Sequence, residues 1–339
     1  MLEVSLHEVS ARGLREVSVT FARGVHTAVI GPPGGGASTL LEVVAGTLRP
    51  ERGEVRIGTR VVNKLKPAAR PLLFVTAELD VPRRWSVQHA LIAAVRTRTL
   101  DRIDRQREYD LAVEKWRLSP ARKIGTLSAS EQTMVQLARI ELLKPGILVA
   151  DRLLERLNSS VTAQVADDFY RTLRVMGATV VSAPASRAEL GLTDAVVVLS
   201  GGRVVQSGTP AAVYARPVDE AAAAATGEVN LVPVIIRGKT AESPIGAWEL
   251  DAPTFQGPGI ALARPEDFAV AATGEDSDFV FGVEEAGFAD GRWLARGMLT
   301  GGVILRVSLP AGTPLHKGRL LALRYDPARF RLLPRHPPL

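Results

Sequence analysis

The stretch TAVIGPPGGGASTLLEVVAGTL, residues 27–48, constrains the fold more than any other. An apolar run, a glycine-dense loop and apolar residues at helical spacing follow one another without a gap. Such an order predicts a buried strand, Val25 to Ile30, turning through glycines into a helix that ends at Gly46. Glycines let successive backbone N–H groups point inward, and a helix N-terminus adds positive potential, so the turn is a cradle for phosphate. The pattern G-x-x-x-x-G-K-[ST] is met by Gly31, Gly36 and Ser38, with Thr39 next. The lysine position holds Ala37.

Two further apolar runs, ILVAD (147–151) and ATVVSA (178–183), read as buried parallel strands, each after a helical pattern. Residues 195–210, AVVVLSGGRVVQSGTP, read as a hairpin closing the α/β unit. Between Asp80 and Leu143 the pattern is helical and arginine-rich, as an inserted helical subdomain over about 80–143 would be. Near Pro217 to Thr226 the composition shifts to DEAAAAAT, a short helix or linker. Beyond it, strand-like segments alternate with Gly, Pro and Asp turns, predicting a small all-β domain. The expected division is 1–215, a linker over 216–230, and 231–339. A length of 339 residues also favours two cores over one.

Composition narrows the function. The absence of cysteine excludes disulfides and thiolate metal sites, and the five histidines are scattered. No apolar segment of about 18 residues is present, so no membrane-spanning helix is expected. The N-terminus lacks the form of a secretory signal. A net charge of +6 suits an anionic partner, but no aromatic-interleaved basic tract of the single-strand-binding kind accompanies it, and nucleic acid is not expected as a partner.

The order of segments resembles the nucleotide-binding subunit of ABC transporters, particularly importers with a C-terminal OB-like (TOBE) domain. GPPGGGASTLLEVVAGTLRPERGEV is similar to the Walker A loop and its helix. TLSASEQTMVQLARIELLKPGILVADRLLERLN resembles signature motif, helix, Walker B and D-loop in sequence. LTDAVVVLSGGRVVQSGTPAAVYARP resembles the segment after the switch histidine, and GEVNLVP with ARPEDFAV the entry to the TOBE domain. The resemblance implies a P-loop NTPase fold of α/β class with a helical subdomain, followed by the OB-like domain. It also implies ATP and Mg²⁺ as ligands and a membrane permease as partner, on the cytoplasmic face of the membrane.

Position by position, the resemblance assigns phosphate to Gly31, Gly34, Gly35, Gly36, Ser38 and Thr39, and Mg²⁺ to Ser38 and Asp151. Ser38 could instead merely cap the helix. The lysine that would clamp the β and γ phosphates is Ala37, and the water-positioning glutamate is Arg152, followed by Leu153. Arg152 could lend phosphate some of the missing charge, or it could be a solvated arginine. The Q-loop glutamine falls near Thr76 or Ala77, with Glu78 close by; the switch histidine falls on Pro184; the D-loop aspartate is Asn158. Where an aromatic would stack on adenine the chain offers Arg12. The signature LSGGQ becomes Leu127, Ser128, Ala129, Ser130 and Glu131, and the resemblance sets it against nucleotide bound by the partner subunit.

Losing the lysine, glutamate, glutamine and histidine equivalents together removes charge clamp, water positioning and γ-phosphate sensing. Electrostatic preorganisation is most of phosphoryl-transfer catalysis, so the chain is expected to hydrolyse ATP poorly or not at all, and to bind it weakly if at all. The expected role is a degenerate subunit that pairs with an active ABC ATPase, or with itself, and docks a permease. An active ATPase with unusual residues and a soluble scaffold that has left transport are the alternatives. GEVNLVP looks more like the polyamine or ferric-iron branch than the sugar branch, and the cargo itself is not written in this chain.

Overall fold

A computed structural model describes residues 2–157, 159–271, 276–289, 291–299 and 302–335. Asn158 therefore lies outside the described residues. By its internal contacts the chain divides into two compact units, Met1–Ala215 and Arg216–Leu339.

In the first unit the elements run β1 (Val4–Ala11), β2 (Leu14–Phe21), β3 (His26–Ile30), α1 (Ala37–Ala45), β4 (Arg52–Ile57), β5 (Arg60–Val61), β6 (Leu73–Thr76), α2 (Val87–Val95), α3 (Arg102–Lys115) and α4 (Ala129–Leu143). They continue with β7 (Ile147–Asp151), α5 (Ser159–Val175), β8 (Thr179–Ala183), β9 (Ala195–Ser200), β10 (Arg203–Gly208) and α6 (Pro210–Ala215). One sheet is antiparallel, ordered β2-β1-β4-β5. The other is ordered β10-β9-β3-β8-β7-β6 and is parallel except for the β9–β10 hairpin.

The parallel strands β3, β7, β8 and β9 are buried on both faces, which is why they read as continuous apolar runs, while the edge strand β6 is half-buried. Along β7 the side chains alternate between two cores: Ile147 and Val149 join one, Leu148 and Ala150 the other. The first core lies between the two sheets and contains α1, whose Leu40, Leu41, Val43, Val44 and Ala45 are all buried. The second packs α2, α4 and α5 on the opposite face of the parallel sheet, through residues such as Leu91, Leu137 and Phe169. The helix α1 thus runs away from the end of β3 between two layers, with its N-terminus at the carboxyl edge of the sheet. Ligand sites form at that edge in open α/β sheets.

The far end of α1 is closed by Gly46 in the left-handed region and by buried Arg70. The Arg70 Nη1 donates to the carbonyls of Val43 (2.7 Å), which also accepts the Gly46 N–H, and Val44 (2.6 Å), supplying donors to the last turn of the helix.

The second unit holds a short helix, α7 (Glu220–Thr226), inside the stretch 216–230, followed, with two 3₁₀ turns at Pro265–Asp267 and Pro327–Arg329 between them, by strands. These are β11 (Asn230–Arg237), β12 (Thr240–Ser243), β13 (Gly246–Glu249), β14 (Gly257–Ala263), β15 (Phe268–Val270), β16 (Phe279–Gly282), β17 (Glu285–Ala289), β18 (Arg292–Met298), β19 (Ile304–Pro310), β20 (Leu320–Tyr325) and β21 (Arg331–Pro334). They form small antiparallel sheets, β13-β12-β11-β14-β21, β15-β20-β16 and β17-β18-β19. Strict alternation on β11 buries Val232, Val234 and Ile236 in a core with Phe281, Leu305, Val307 and Leu323. The first and third sheets are stitched by one side chain. Asn230 Nδ2 donates to the Arg306 carbonyl at 2.8 Å, and the Arg306 N–H donates to Asn230 Oδ1 at 2.7 Å.

Candidate phosphate-binding site

Between β3 and α1 the chain makes the glycine loop. Gly34 and Gly36 have φ of 78° and 107°, in the region that favours glycine. A Cβ on Gly36 would also stand 2.7 Å from Leu14 Cδ2, so a side chain there would have to displace Leu14 as well as strain the backbone. The Gly35 N–H donates to the Pro32 carbonyl at 2.8 Å, and the first intrahelical bond runs from the Leu40 N–H to Gly36 at 2.9 Å. The amides of Ala37, Ser38 and Thr39 are consequently left facing out of the helix N-terminus, as phosphate binding requires. Gly36, at the N-cap, has no side chain to cover them.

Ser38 does not cap the helix. Its Oγ donates to Asp151 Oδ1 at 3.1 Å, across 113 residues of sequence. Two oxygen donors, one of them a carboxylate, thus meet at the loop, a set suited to a hard cation such as Mg²⁺ with phosphate and water completing its shell. Burial pushes the Asp151 carboxyl above the usual range, opposed by the Ser38 hydroxyl and the Arg152 charge. The phosphate end of the site fits a metal–polyphosphate ligand. Ala37 brings no charge to it; its methyl packs on the core between the sheets.

The residues beside Asp151 are committed elsewhere. Arg152 adopts a left-handed φ of 51°, its N–H donates to the Ala183 carbonyl (2.8 Å), and its Nη2 pairs with Glu155 Oε1 at 2.6 Å. The guanidinium that could have lent charge to phosphate is thereby a half-exposed partner of a carboxylate. On the neighbouring strands, Thr76 and Ala183 stand in register with Asp151. Ala77 and Pro184 each follow one residue later, and neither brings a polar side chain. After Pro184 the chain is held by buried Glu189, which accepts the N–H groups of Ala185 (2.8 Å) and Ser186 (3.0 Å).

One carboxamide does reach this edge, from a position that the family resemblance does not single out. Gln136 on α4 is 3% exposed, and its Nε2 donates to the Thr76 carbonyl at 2.9 Å. A polar residue on the buried face of an amphipathic helix was the available signal.

The signature stretch opens α4. Ser128 is the N-cap: its Oγ accepts the Glu131 N–H (3.2 Å), while Glu131 Oε2 accepts the Ser128 N–H (2.7 Å), a reciprocal capping box. The bond from the Ser128 amide, with Arg122 paired to the other oxygen, holds the Glu131 carboxyl below its ordinary value. Ser130 Oγ donates to the Arg156 carbonyl at 3.1 Å. Of the five residues 127–131, only the exposed Ser128 keeps a hydroxyl hydrogen for an outside acceptor; Ala129 offers none. Arg12, on the β1–β2 turn, is ion-paired with Glu42 of α1.

Residues 14–153 match the ABC transporter family. The chain is 30% identical over 263 residues to an sn-glycerol-3-phosphate import ATP-binding protein of Rhizobium meliloti (strain 1021), covering 76% of this chain and 74% of that protein. It is 31% identical over 261 residues to an Fe(3+) ions import ATP-binding protein of Streptomyces avermitilis, with 76% of each covered. It is 26% identical over 312 residues to a molybdate/tungstate import ATP-binding protein of Pyrococcus horikoshii, with 90% of each covered. Among solved structures, an ATP-binding cassette captured as a dimer in a post-hydrolysis state with ADP and Pi superposes with a TM-score of 0.54 at 20% identity, over 61% of this chain and 98% of that one. An ATP-binding subunit of an ABC transporter superposes with a TM-score of 0.56 at 19% identity, over 63% and 92%. The fold is that of an ABC-type P-loop NTPase, with additional small β sheets consistent with an OB-like C-terminal domain.

Proposed function

This chain belongs to the ABC transporters, as an ATP-binding subunit of importer type, and from that premise we propose that it is a subunit kept for its shape: its own phosphate site holds ligand without cleaving it. The observation that carries this reading is the contrast around Asp151. The loop glycines and the Ser38–Asp151 bond are retained, while the next residue is Arg152, its guanidinium spent on Glu155. A cation in that place can neither orient nor deprotonate an attacking water. With Ala37 and Pro184 bringing neither charge nor proton, the loop amides and the Ser38–Asp151 pair are left to hold phosphate, and no described side chain replaces the lysine and histidine that would stabilise charge developing on a transferred phosphoryl group.

In the proposed assembly the chain pairs with an active ATPase, presenting Ser128 and the α4 N-terminus to nucleotide held by that partner. The pair then sits against a permease on the inner face of the membrane; among the described residues no helix is long and apolar enough to cross it. Residues 83–123 contain eleven Lys and Arg against five Asp and Glu, so the whole surplus of +6 resides in the segment proposed to dock the permease. The relatives are named for glycerol phosphate, ferric ion and molybdate or tungstate, and this spread supports cargo choice by other subunits.

Phosphate release from ATP by the purified chain tests the first part: turnover no higher than that of Asp151→Asn is expected, and turnover well above it would sink the reading. Affinity purification of the tagged chain from its own cells tests the second. A second ATPase with complete motifs is expected in the eluate, and recovery of self-pairs alone would end the heterodimer proposal.

A further inference from the structure

Two turns abut the phosphate loop and define the wall on which a base would rest. One is the β1–β2 turn, whose Leu14 packs on Gly36; the other is the β9–β10 turn, whose Gly202 Cα stands 3.8 Å from where a Gly36 Cβ would be. Gly202, at φ 78°, is pressed so closely on the Gly13 carbonyl that the two turns form one surface. From Ala11 to Leu14 and from Ser200 to Arg203 this surface carries no aromatic ring. Among the rings of the first unit, Phe21, Phe169, Tyr109, Tyr170 and Trp116 are buried, Phe74 packs against the core between the sheets, and Trp85 stacks on His89 at 4.2 Å; Tyr214 lies on α6, outside both turns.

Two cations flank the wall, and both are spoken for. Arg203 Nη1 pairs with Glu16 at 3.0 Å. Arg12 pairs with Glu42, a carboxylate on the phosphate-loop helix whose charge reaches Asp151. Swinging Arg12 onto a base would leave the Glu42 charge uncompensated beside an anionic ligand.

We propose that this site reads a Mg²⁺-bound polyphosphate chain and is blind to what the chain carries, so that ATP, GTP and inorganic triphosphate are equivalent ligands. The inference rests on the reading above only for the premise that the loop holds phosphate. Stacking on an aromatic platform is the recognition that every base shares, and where it operates it separates a nucleotide from its bare phosphate chain by roughly five- to a hundredfold. Here that contribution is missing, while the donors that hold phosphate remain.

The test is calorimetric titration of the full-length chain with Mg-ATP, Mg-GTP and Mg-triphosphate. Dissociation constants within about threefold of one another are expected, all weakened together by Ser38→Ala. An ATP affinity ten or more times that for triphosphate would overturn the proposal, as would no binding of any of the three, or affinities unmoved by Ser38→Ala. Arg12→Tyr, on an exposed turn, supplies the missing ring; because it also unpairs Glu42, which acts on every anionic ligand alike, the readout is the ratio, and ATP and GTP should gain about fivefold or more over triphosphate. An unchanged ratio would mean that a ring on this turn does not meet the base, contrary to the proposal. Release of phosphate from ATP in the same samples would instead overturn catalytic silence and leave the base-blind site standing.

Discussion

Ala37 shows how a single side chain sets the strength of the phosphate site. A lysine there would add a charge-assisted bond to the β and γ phosphates, the kind worth about 1.5–3 kcal/mol in folded proteins. Ala37→Lys is expected to tighten ATP at least tenfold in titration while phosphate release stays at background, because Arg152 and Pro184 are unchanged. Asp151 carries a burial cost instead. Its folded-state carboxyl is raised, so the ionised form opposes folding, a penalty that grows as pH climbs from the ordinary aspartate value of about 3.9 through the raised one. Asp151→Asn keeps an acceptor for Ser38 and should raise the melting temperature of the unliganded protein by a few degrees at pH 7, with no gain near pH 3. His26 works in the opposite direction. Buried against Tyr170 (centroids 4.3 Å apart), it donates from Nδ1 to the Leu192 carbonyl and accepts the Ser182 hydroxyl at Nε2, and burial lowers its pKa to about 4. An unfolded chain would take that proton first, so stability is full above pH 6.5 and falls as acidity increases toward pH 4, by up to about 3 kcal/mol. Urea titrations across that window should show the slope, and His26→Gln should flatten it. Gly31 to Thr39 could be read from sequence because their relation is local. Ser38 and Asp151 are brought together by the family resemblance; the Arg12–Glu42 and Gln136–Thr76 pairs could not be read, since each joins residues brought together only by packing.

Among the elements, β7 and β8 were visible as apolar runs because a strand covered on both faces has no polar side to show. The helix α1 was equally plain, being apolar nearly all round between two sheets. Its lower seal was not: Arg70 looks like any surface arginine in sequence, yet it is buried at the helix C-terminus with main-chain carbonyls as partners. At α4 a simple helix cap and the proposed role of a signature serine are compatible, since the cap uses a Ser128 lone pair and leaves the hydroxyl hydrogen to another acceptor. Ser128→Ala should therefore have two separable effects. The isolated chain should lose about 1 kcal/mol of stability in denaturant titration, the ordinary value of an N-cap. ATP turnover by the assembled pair should fall as well, and restoring stability elsewhere should not rescue it. The Ser130 bond to Arg156 escaped the sequence reading because serine stands where a glycine was expected, and nothing local marks which carbonyl its hydroxyl will find.

At the scale of the whole chain, the break in composition near residue 217 lies close to the division at Ala215, and each unit has its own core. Phe281→Ala should accordingly destabilise the second unit by about 3–5 kcal/mol while ligand affinity at the first stays unchanged, measured by a split melting transition and by titration. The placement of charge has its own consequence: docking of a permease through residues 83–123 should slow steeply as salt is raised from 0.1 M toward 1 M, where screening shortens from about 10 to 3 Å. A rate indifferent to salt would put the contact elsewhere. The number and order of small sheets in the second unit were not readable, because short antiparallel strands look alike in sequence and their pairing is decided at long range. Asn230 is the sharpest instance, an amide that spans two sheets by giving one hydrogen and taking another. Hydrolysis of that amide to a carboxylate, the slow chemistry by which asparagines age, would leave two acceptors where a giver is needed and turn a brace into a wedge. The domain would then carry its own expiry, written at a single nitrogen.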